Sequence, residues 1–131
     1  APGVSRIATT NIMMTTRGPM FFSDTAINVN PTAMELAKIA LMTAGIVKMF
    51  GMDPVIAMVS YSNFGSAQGE VPDKVSKAVS ILHKNYPGLI VDGDIQANFA
   101  INNNLLKEQF PFSNLADKDV NTFIFPNLAN K

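Results

Sequence analysis

A layered α/β domain, with a mostly parallel sheet and an antiparallel hairpin at its front, is the fold this sequence predicts. Three observations carry it. Val55 to Val59 is an unbroken apolar run of strand length, the composition of a strand covered on both faces. Segments with helical spacing flank that run on either side. Two strand-like segments also meet at Arg17-Gly18, a short Gly-bearing connection that folds them back on each other. Strands alternating with helices make α/β layers.

The hairpin strands are Ile7 to Thr16 and Pro19 to Ile27; the first alternates imperfectly and leaves its register open. Asn30 and Pro31 read as N-cap and first helical residue, with Glu35 near enough to favour the helix dipole. Met34, Ala37, Leu41, Ala44 and Val47 continue at helical spacing to Gly51, with Ile39 or Lys38 between them. Asp53-Pro54 breaks the chain before the Val55 strand. Beyond the polar stretch Ser60 to Ala67 and Gly69, a helix from about Pro72 places Val75, Val79 and Leu82 on one face. Lys74, Lys77 and Lys84 fall largely on the other. Pro87-Gly88 ends it. Leu89 to Val91 reads as a short strand, Asp94 to Asn102 as a helix, and Val120 to Phe125 as a last strand. The Val55, Leu89 and Val120 strands should be neighbours in one sheet, covered by the helices near 32–50 and 72–86. Met13, Met14, Met34, Met42, Met49 and Met58 read as core filler, and Met49, Phe50 and Met52, with Phe110-Pro111-Phe112, as core before partner surface.

At 131 residues the chain is one ordinary domain, 1–131, with room for a true core and no linker to divide it. Its formal net charge is zero, which argues against nucleic acid as a bulk electrostatic partner. Without cysteine there is no disulfide scaffold, thiolate zinc site or cysteine nucleophile. The single histidine, His83, sits at a helix end and reads as solvated, so no Ser/His/Asp set can be assembled. The start, Ala1 to Arg6, lacks the apolar stretch of a signal peptide. Glu35, Lys38 and Lys48 interrupt the most apolar region, which therefore does not read as a membrane span. A cytoplasmic protein without a membrane partner is the expectation.

Two places carry candidate chemistry. After the Val55 strand, Ser60, Ser62 and Ser66 supply hydroxyls and Gly65 lets the backbone approach a ligand, the layout that presents donors to an anion. The same residues also make an ordinary strand-to-helix turn. Asp92 and Asp94 bracket Gly93 after the Leu89 strand. They could serve acid/base work or magnesium binding, or Asp92 could end the strand while Asp94 caps the next helix. Of the two arginines, Arg17 decorates a hairpin tip and Arg6 stays a candidate for an anionic ligand.

Ser60-Tyr61-Ser62-Asn63-Phe64-Gly65-Ser66-Ala67 resembles the Ser-x-Ser-x-x-Gly-Ser signature of the phosphate acetyl/butyryl transferase family. Asp92-Gly93-Asp94-Ile95-Gln96-Ala97-Asn98 resembles that family's Asp-Gly-Glu-x-Gln-x-Asp stretch, with Asn98 where a carboxylate is usual. Asn121 to Leu128 resembles its late Asn-x-x-x-Phe-Pro-x-Leu strand, and Phe22 to Thr25 with Asn30 to Ala33 matches near the front. Asn63-Phe64, with Arg17-Gly18-Pro19, resembles the branch in which this module is the C-terminal part of a bifunctional NADP-dependent malic enzyme.

The resemblance implies a phosphate- or CoA-binding loop of Ser60, Ser62, Asn63, Gly65 and Ser66, with Arg6. It makes Asp92, Gly93, Asp94 and Gln96 site-adjacent. The family's later Asp-Leu-Ser-Arg-Gly and Gly-Asn-Ile-x-Tyr-Lys blocks do not occur here. The resemblance therefore implies the second domain of a larger two-domain module, with no catalytic residue, metal ligand or bound cofactor of its own. The parent it implies is a homo-oligomer that oxidises and decarboxylates malate to pyruvate with NADP and Mg or Mn, with acetyl-CoA as effector. The alternatives are a fragment of a true phosphate acetyltransferase, or a stand-alone binding and assembly domain.

Overall fold

Residues 8–25 and 30–126 are described by a computed structural model. Strands β1 (Ala8–Thr15) and β2 (Gly18–Thr25) form the expected hairpin, antiparallel from Ala8↔Thr25 to Thr15↔Gly18. Gly18, at φ +107°, closes the turn in a conformation that disfavours other residues. The expected strand ends at Ile7, Ala26 and Ile27 lie outside the described residues, as does Arg6.

Helix α1 (Ala33–Met49) starts later than Asn30-Pro31 suggests, because Thr32 stands three residues before Glu35 and the two close a capping box. Its hydroxyl accepts from the Glu35 N–H at 3.1 Å, and the Glu35 carboxylate accepts from the Thr32 N–H at 2.8 Å. This reciprocal box satisfies two donors that a helix start leaves bare. Asn30 instead accepts from Lys74 Nζ of the next helix. Strand β3 (Val55–Val59) is buried throughout, and helix α2 (Glu70–Asn85) packs through Val71, Val75, Ala78, Val79 and Leu82. Strand β4 (Ile90–Ile95) runs on through Asp92, Gly93 and Asp94, so no helix starts at Asp94. Helix formation begins at Ala97, in two short pieces: α3 (Ala97–Ala100) and α4 (Asn103–Gln109). Asn102 caps α4 by accepting from the Leu105 N–H at 3.0 Å. Strand β5 (Thr122–Phe125) completes a five-stranded sheet of order β1-β2-β5-β3-β4, parallel except for the hairpin.

That order decides which face each connection covers. The steps β2→β3 and β3→β4 move the same way across the sheet, and β4→β5 returns past β3. Because crossovers between parallel strands are right-handed, α1 and α2 must share one face and the return segment must take the other. The two cores follow this. Leu36, Ile39, Ala40, Val75 and Leu82 pack on Ile56, Met58, Val91 and Ile124. Leu106, Leu115 and Ala100 pack on Val55, Ala57, Val59, Ile95 and Phe123 of the opposite face. Of the six methionines read as core filler, only Met58 is buried. Met13, Met14, Met34, Met42 and Met49 are exposed, on the edge strand and the outer side of α1, and Phe50 and Phe112 are exposed as well.

One polar thread joins hairpin to helix. Thr43 Oγ1 donates to the Ile39 carbonyl at 2.8 Å, Ser23 Oγ lies 2.7 Å from Thr43 Oγ1, and Thr10 Oγ1 lies 2.7 Å from Ser23 Oγ. A carbonyl only accepts, so the Thr43 proton is committed. Ser23 therefore donates to Thr43, and Thr10 donates to Ser23. Ser23 and Thr43 are buried.

Candidate functional site

Beyond their carboxyl ends, β3 leads to α2 on one face and β4 leads to α3 and α4 on the other. Such a divergence opens a crevice at the strand ends, the place where open α/β sheets take ligands. Residues 60–69 leave β3 at that end and connect it to α2.

A bulge in β4 shapes the floor. Met58 pairs with Gly93 and Val59 with Ile95, which leaves Asp94 as the extra residue. Gly93 has φ +149°, and a Cβ there would lie 2.5 Å from the Met58 carbonyl oxygen, so only glycine lets β4 come this close. The bulge turns the Asp94 side chain into the molecule, fully buried. Its carboxylate accepts from the Gly65 N–H at 3.2 Å, from Ser76 Oγ of α2 at 2.9 Å and from Ser60 Oγ at 3.2 Å. Its backbone carbonyl accepts from the Phe64 N–H at 2.7 Å.

The loop wraps around that anchor. Phe64 (φ +50°) and Gly65 (φ +83°) are successive left-handed residues, a reversal that is costly for phenylalanine unless its surroundings enforce it. Ser60 Oγ accepts from the Ser62 N–H at 2.9 Å, Ser66 Oγ from the Asn63 N–H at 3.0 Å, and Ser62 Oγ from the Ala67 N–H at 3.0 Å. Gln96 locks the far side: its N–H donates to Asn63 Oδ1 and its side-chain amide to the Tyr61 carbonyl, both at 2.8 Å.

Ser60, Ser62, Asn63, Gly65, Ser66, Asp94 and Gln96 thus form one network, with Gly93 beneath it. Asp92 is elsewhere. It accepts from Ser113 Oγ at 2.7 Å and the Gly93 N–H at 3.0 Å, while His83 Nε2 lies 4.0 Å away. The two carboxylates share no hydrogen-bond partner, and Asp92 lies inside β4 rather than ending it, while the residue before the next helix is Gln96 and not Asp94. No group of three or more His, Cys, Asp or Glu among the described residues could hold a metal ion. His83, read as solvated, is half-exposed and donates through Nε2 to the Val91 carbonyl at 2.7 Å. No described helix is long and apolar enough to cross a membrane.

The N–H groups of residues 62–65 and 67 all point into the network, so they do not form an open cradle. Ser60 and Ser62 are buried. What the loop turns outward is its rim: Ser66 and Gly65 are exposed, and the Tyr61, Gln68 and Gly69 N–H groups stand outside the hydrogen bonds described above. Two parts of the site carried no sequence signal. Ser76 sits amid the lysines of α2, where nothing marks it as a partner of a strand aspartate. The Phe64 ring lies 5.1 Å from Phe110 and 5.0 Å from Phe112, an aromatic cluster assembled from distant segments.

A sequence model described as Phosphate acetyl/butaryl transferase matches residues 1–130. An NADP-dependent malic enzyme of Haemophilus influenzae is 37% identical over 127 residues, covering 97% of this chain and 17% of that protein. A phosphate acetyltransferase of Clostridium acetobutylicum is 39% identical over 135 residues, covering 98% of this chain and 40% of that protein. Among solved structures, EutD phosphotransacetylase from Staphylococcus aureus superposes with a TM-score of 0.82 at 34% identity, covering 95% of this chain and 39% of that one. The chain spans less than half the length of each of these proteins.

Proposed function

The chain belongs to the phosphate acetyl/butaryl transferase family, and from that premise we propose that it is the acyl-CoA-sensing and assembly region of an NADP-dependent malic enzyme. In this reading the parent is a cytoplasmic homo-oligomer that oxidises and decarboxylates malate to pyruvate. NADP and Mg or Mn are held by parts of it outside this chain, and acetyl-CoA acts through this domain. One observation carries the ligand-binding half of the proposal: a hydrogen-bonded, polar-rimmed loop stands where the connections leaving β3 and β4 part to opposite faces of the sheet. The likeness to the Haemophilus malic enzyme supports the choice of parent.

Anionic oxygen of phosphate or CoA would meet the loop's rim, with Ser66 as the hydroxyl donor nearest solvent and Arg6 as a further anion contact. Ser60, Ser62, Asn63 and Gly65 hold that rim in place. Asp94, Gly93 and Gln96 support it from β4, and Asp92 borders the same strand. The test titrates acetyl-CoA against malate oxidation in the full-length parent and its Ser66→Ala variant, with melting curves for both. The acetyl-CoA concentration for half-maximal effect should rise about tenfold, the loss of one hydrogen bond to a charged group. Unchanged regulation in a folded variant overturns the reading.

The likeness to the Clostridium enzyme and to EutD supports a second reading. Here the chain is one wall of a cleft in which acetyl moves between CoA and phosphate. Phosphate-dependent acetyl transfer without malate oxidation by the parent would select it. In either case the isolated chain should show neither activity, because such chemistry needs groups positioned on both walls of a cleft.

A further inference from the structure

We infer that Asp94 is the positioning residue of this site: it touches no ligand, yet it sets the loop conformation on which ligand contact at Ser66 depends. The ligand half of the inference rests on the reading of the loop given above. Ordinary strand alternation would not bring a carboxylate here, and Asp92, two residues earlier, makes its bonds to Gly93 and Ser113 instead. The bulge at Asp94 breaks that alternation, and the Asp94 carboxylate meets the loop.

Once there, one residue holds both left-handed positions of the turn. Its carbonyl takes the Phe64 N–H and its carboxylate the Gly65 N–H. The same carboxylate takes Ser60 at the loop's entry and Ser76 of α2. Loop entry, loop apex and helix are therefore fixed to each other through one buried side chain. Nothing in residues 60–67 themselves supplies an acceptor for Gly65. Removing the carboxylate leaves three donors without it, and the Phe64 reversal loses its side-chain restraint.

The chemistry distinguishes two substitutions. In Asp94→Asn the amide oxygen can keep Gly65 and Ser76. The amide nitrogen then faces Ser60 Oγ, and a hydroxyl accepts as well as it donates. Asp94→Ala has no such escape.

The test uses this chain as wild type, Asp94→Asn, Asp94→Ala and Ser76→Ala. Amide hydrogen exchange is read at Gly65 and at the sheet residues Ile56 and Met58, and acetyl-CoA is titrated against the Ser66 amide resonance. In Asp94→Ala, Gly65 should exchange about tenfold faster or more, beyond any change at Ile56 and Met58, and acetyl-CoA affinity should fall about tenfold. Asp94→Asn should keep both within about threefold. If Asp94→Ala does not fold, Ser76→Ala decides: Gly65 exchange should rise severalfold with the sheet unchanged, and no rise overturns the inference. Wild-type exchange at Gly65 in folded Asp94→Ala overturns it, and so does a released loop that binds acetyl-CoA as tightly as before. If wild type itself fails to bind acetyl-CoA, the proposed function and the ligand half of this inference fall together. The exchange arm then decides separately whether Asp94 sets the loop.

Discussion

The sheet has two outer strands, and they are treated in opposite ways. On β4 the Val91 carbonyl accepts from His83 Nε2 at 2.7 Å and from Asn114 Nδ2 at 3.0 Å, and Asp92 is held by Ser113. The end of α2 and the segment after α4 both converge on that strand. On β1, pairing among the described residues is with β2 alone, and Ile12, Met13 and Met14 are 42%, 57% and 74% exposed. Being last in the strand order is therefore not the same as being an open edge. What matters is whether the unpaired backbone groups have been given partners.

The comparison can be broken most severely at Asp92. Replacing it with alanine leaves the Gly93 N–H and the Ser113 hydroxyl without their acceptor. We expect a loss of about 2–3 kcal/mol, read as a lower urea midpoint at unchanged slope. A loss no larger than that of an exposed β1 substitution would mean the β4 covering contributes nothing. Asn114→Ala is milder, because His83 still serves the Val91 carbonyl, and about 0.5–1 kcal/mol is expected. Combining it with His83→Ala should cost more than the sum of the two single changes, since only the pair uncovers the carbonyl. A strictly additive double-mutant cycle would show that the two donors do not substitute for each other. The smallest effect is expected on the other edge. Met14→Lys should alter stability by no more than about 0.5 kcal/mol. It should also reduce heat-induced β-aggregation, measured by dye binding, because a charged edge resists strand pairing. Equal aggregation by both proteins would remove β1 as the exposed edge.

Much of this architecture is written locally in the chain, and the site is not. Val55–Val59 announces a buried strand by composition alone, and Val75, Val79 and Leu82 announce the covering face of α2 by spacing. The hairpin is legible from its turn. The reading fails where the structure depends on contacts between distant segments. Gly93 and Asp94 are poor strand formers, so a local reading ends β4 too early. They stay in the strand because Gly93 fits against Met58 and Asp94 finds three donors, two from the loop (Ser60 and Gly65) and one from α2 (Ser76). The Ser60–Ser66 cluster was visible as a polar loop after a strand, but nothing local revealed that its N–H groups close on themselves. Thr32 with Glu35 was readable as a capping box, and Asn30-Pro31 obscured it. The methionines misled for a different reason: a flexible, polarizable side chain fits surface and core alike, so its identity fixes neither.

The hydroxyl thread from Thr10 through Ser23 to Thr43 has a consequence for assembly. Apolar contacts are non-directional, and a greasy strand slid along a greasy helix loses little at each step. The thread runs one way, from each proton to the next oxygen, and it closes only when Ser23 stands opposite Thr43. A slip of one residue would turn Ser23 to the other side of the sheet and present Phe22 or Asp24 in its place. The three hydroxyls thus work as a registration pin, rejecting a misaligned hairpin that the surrounding grease would have accepted.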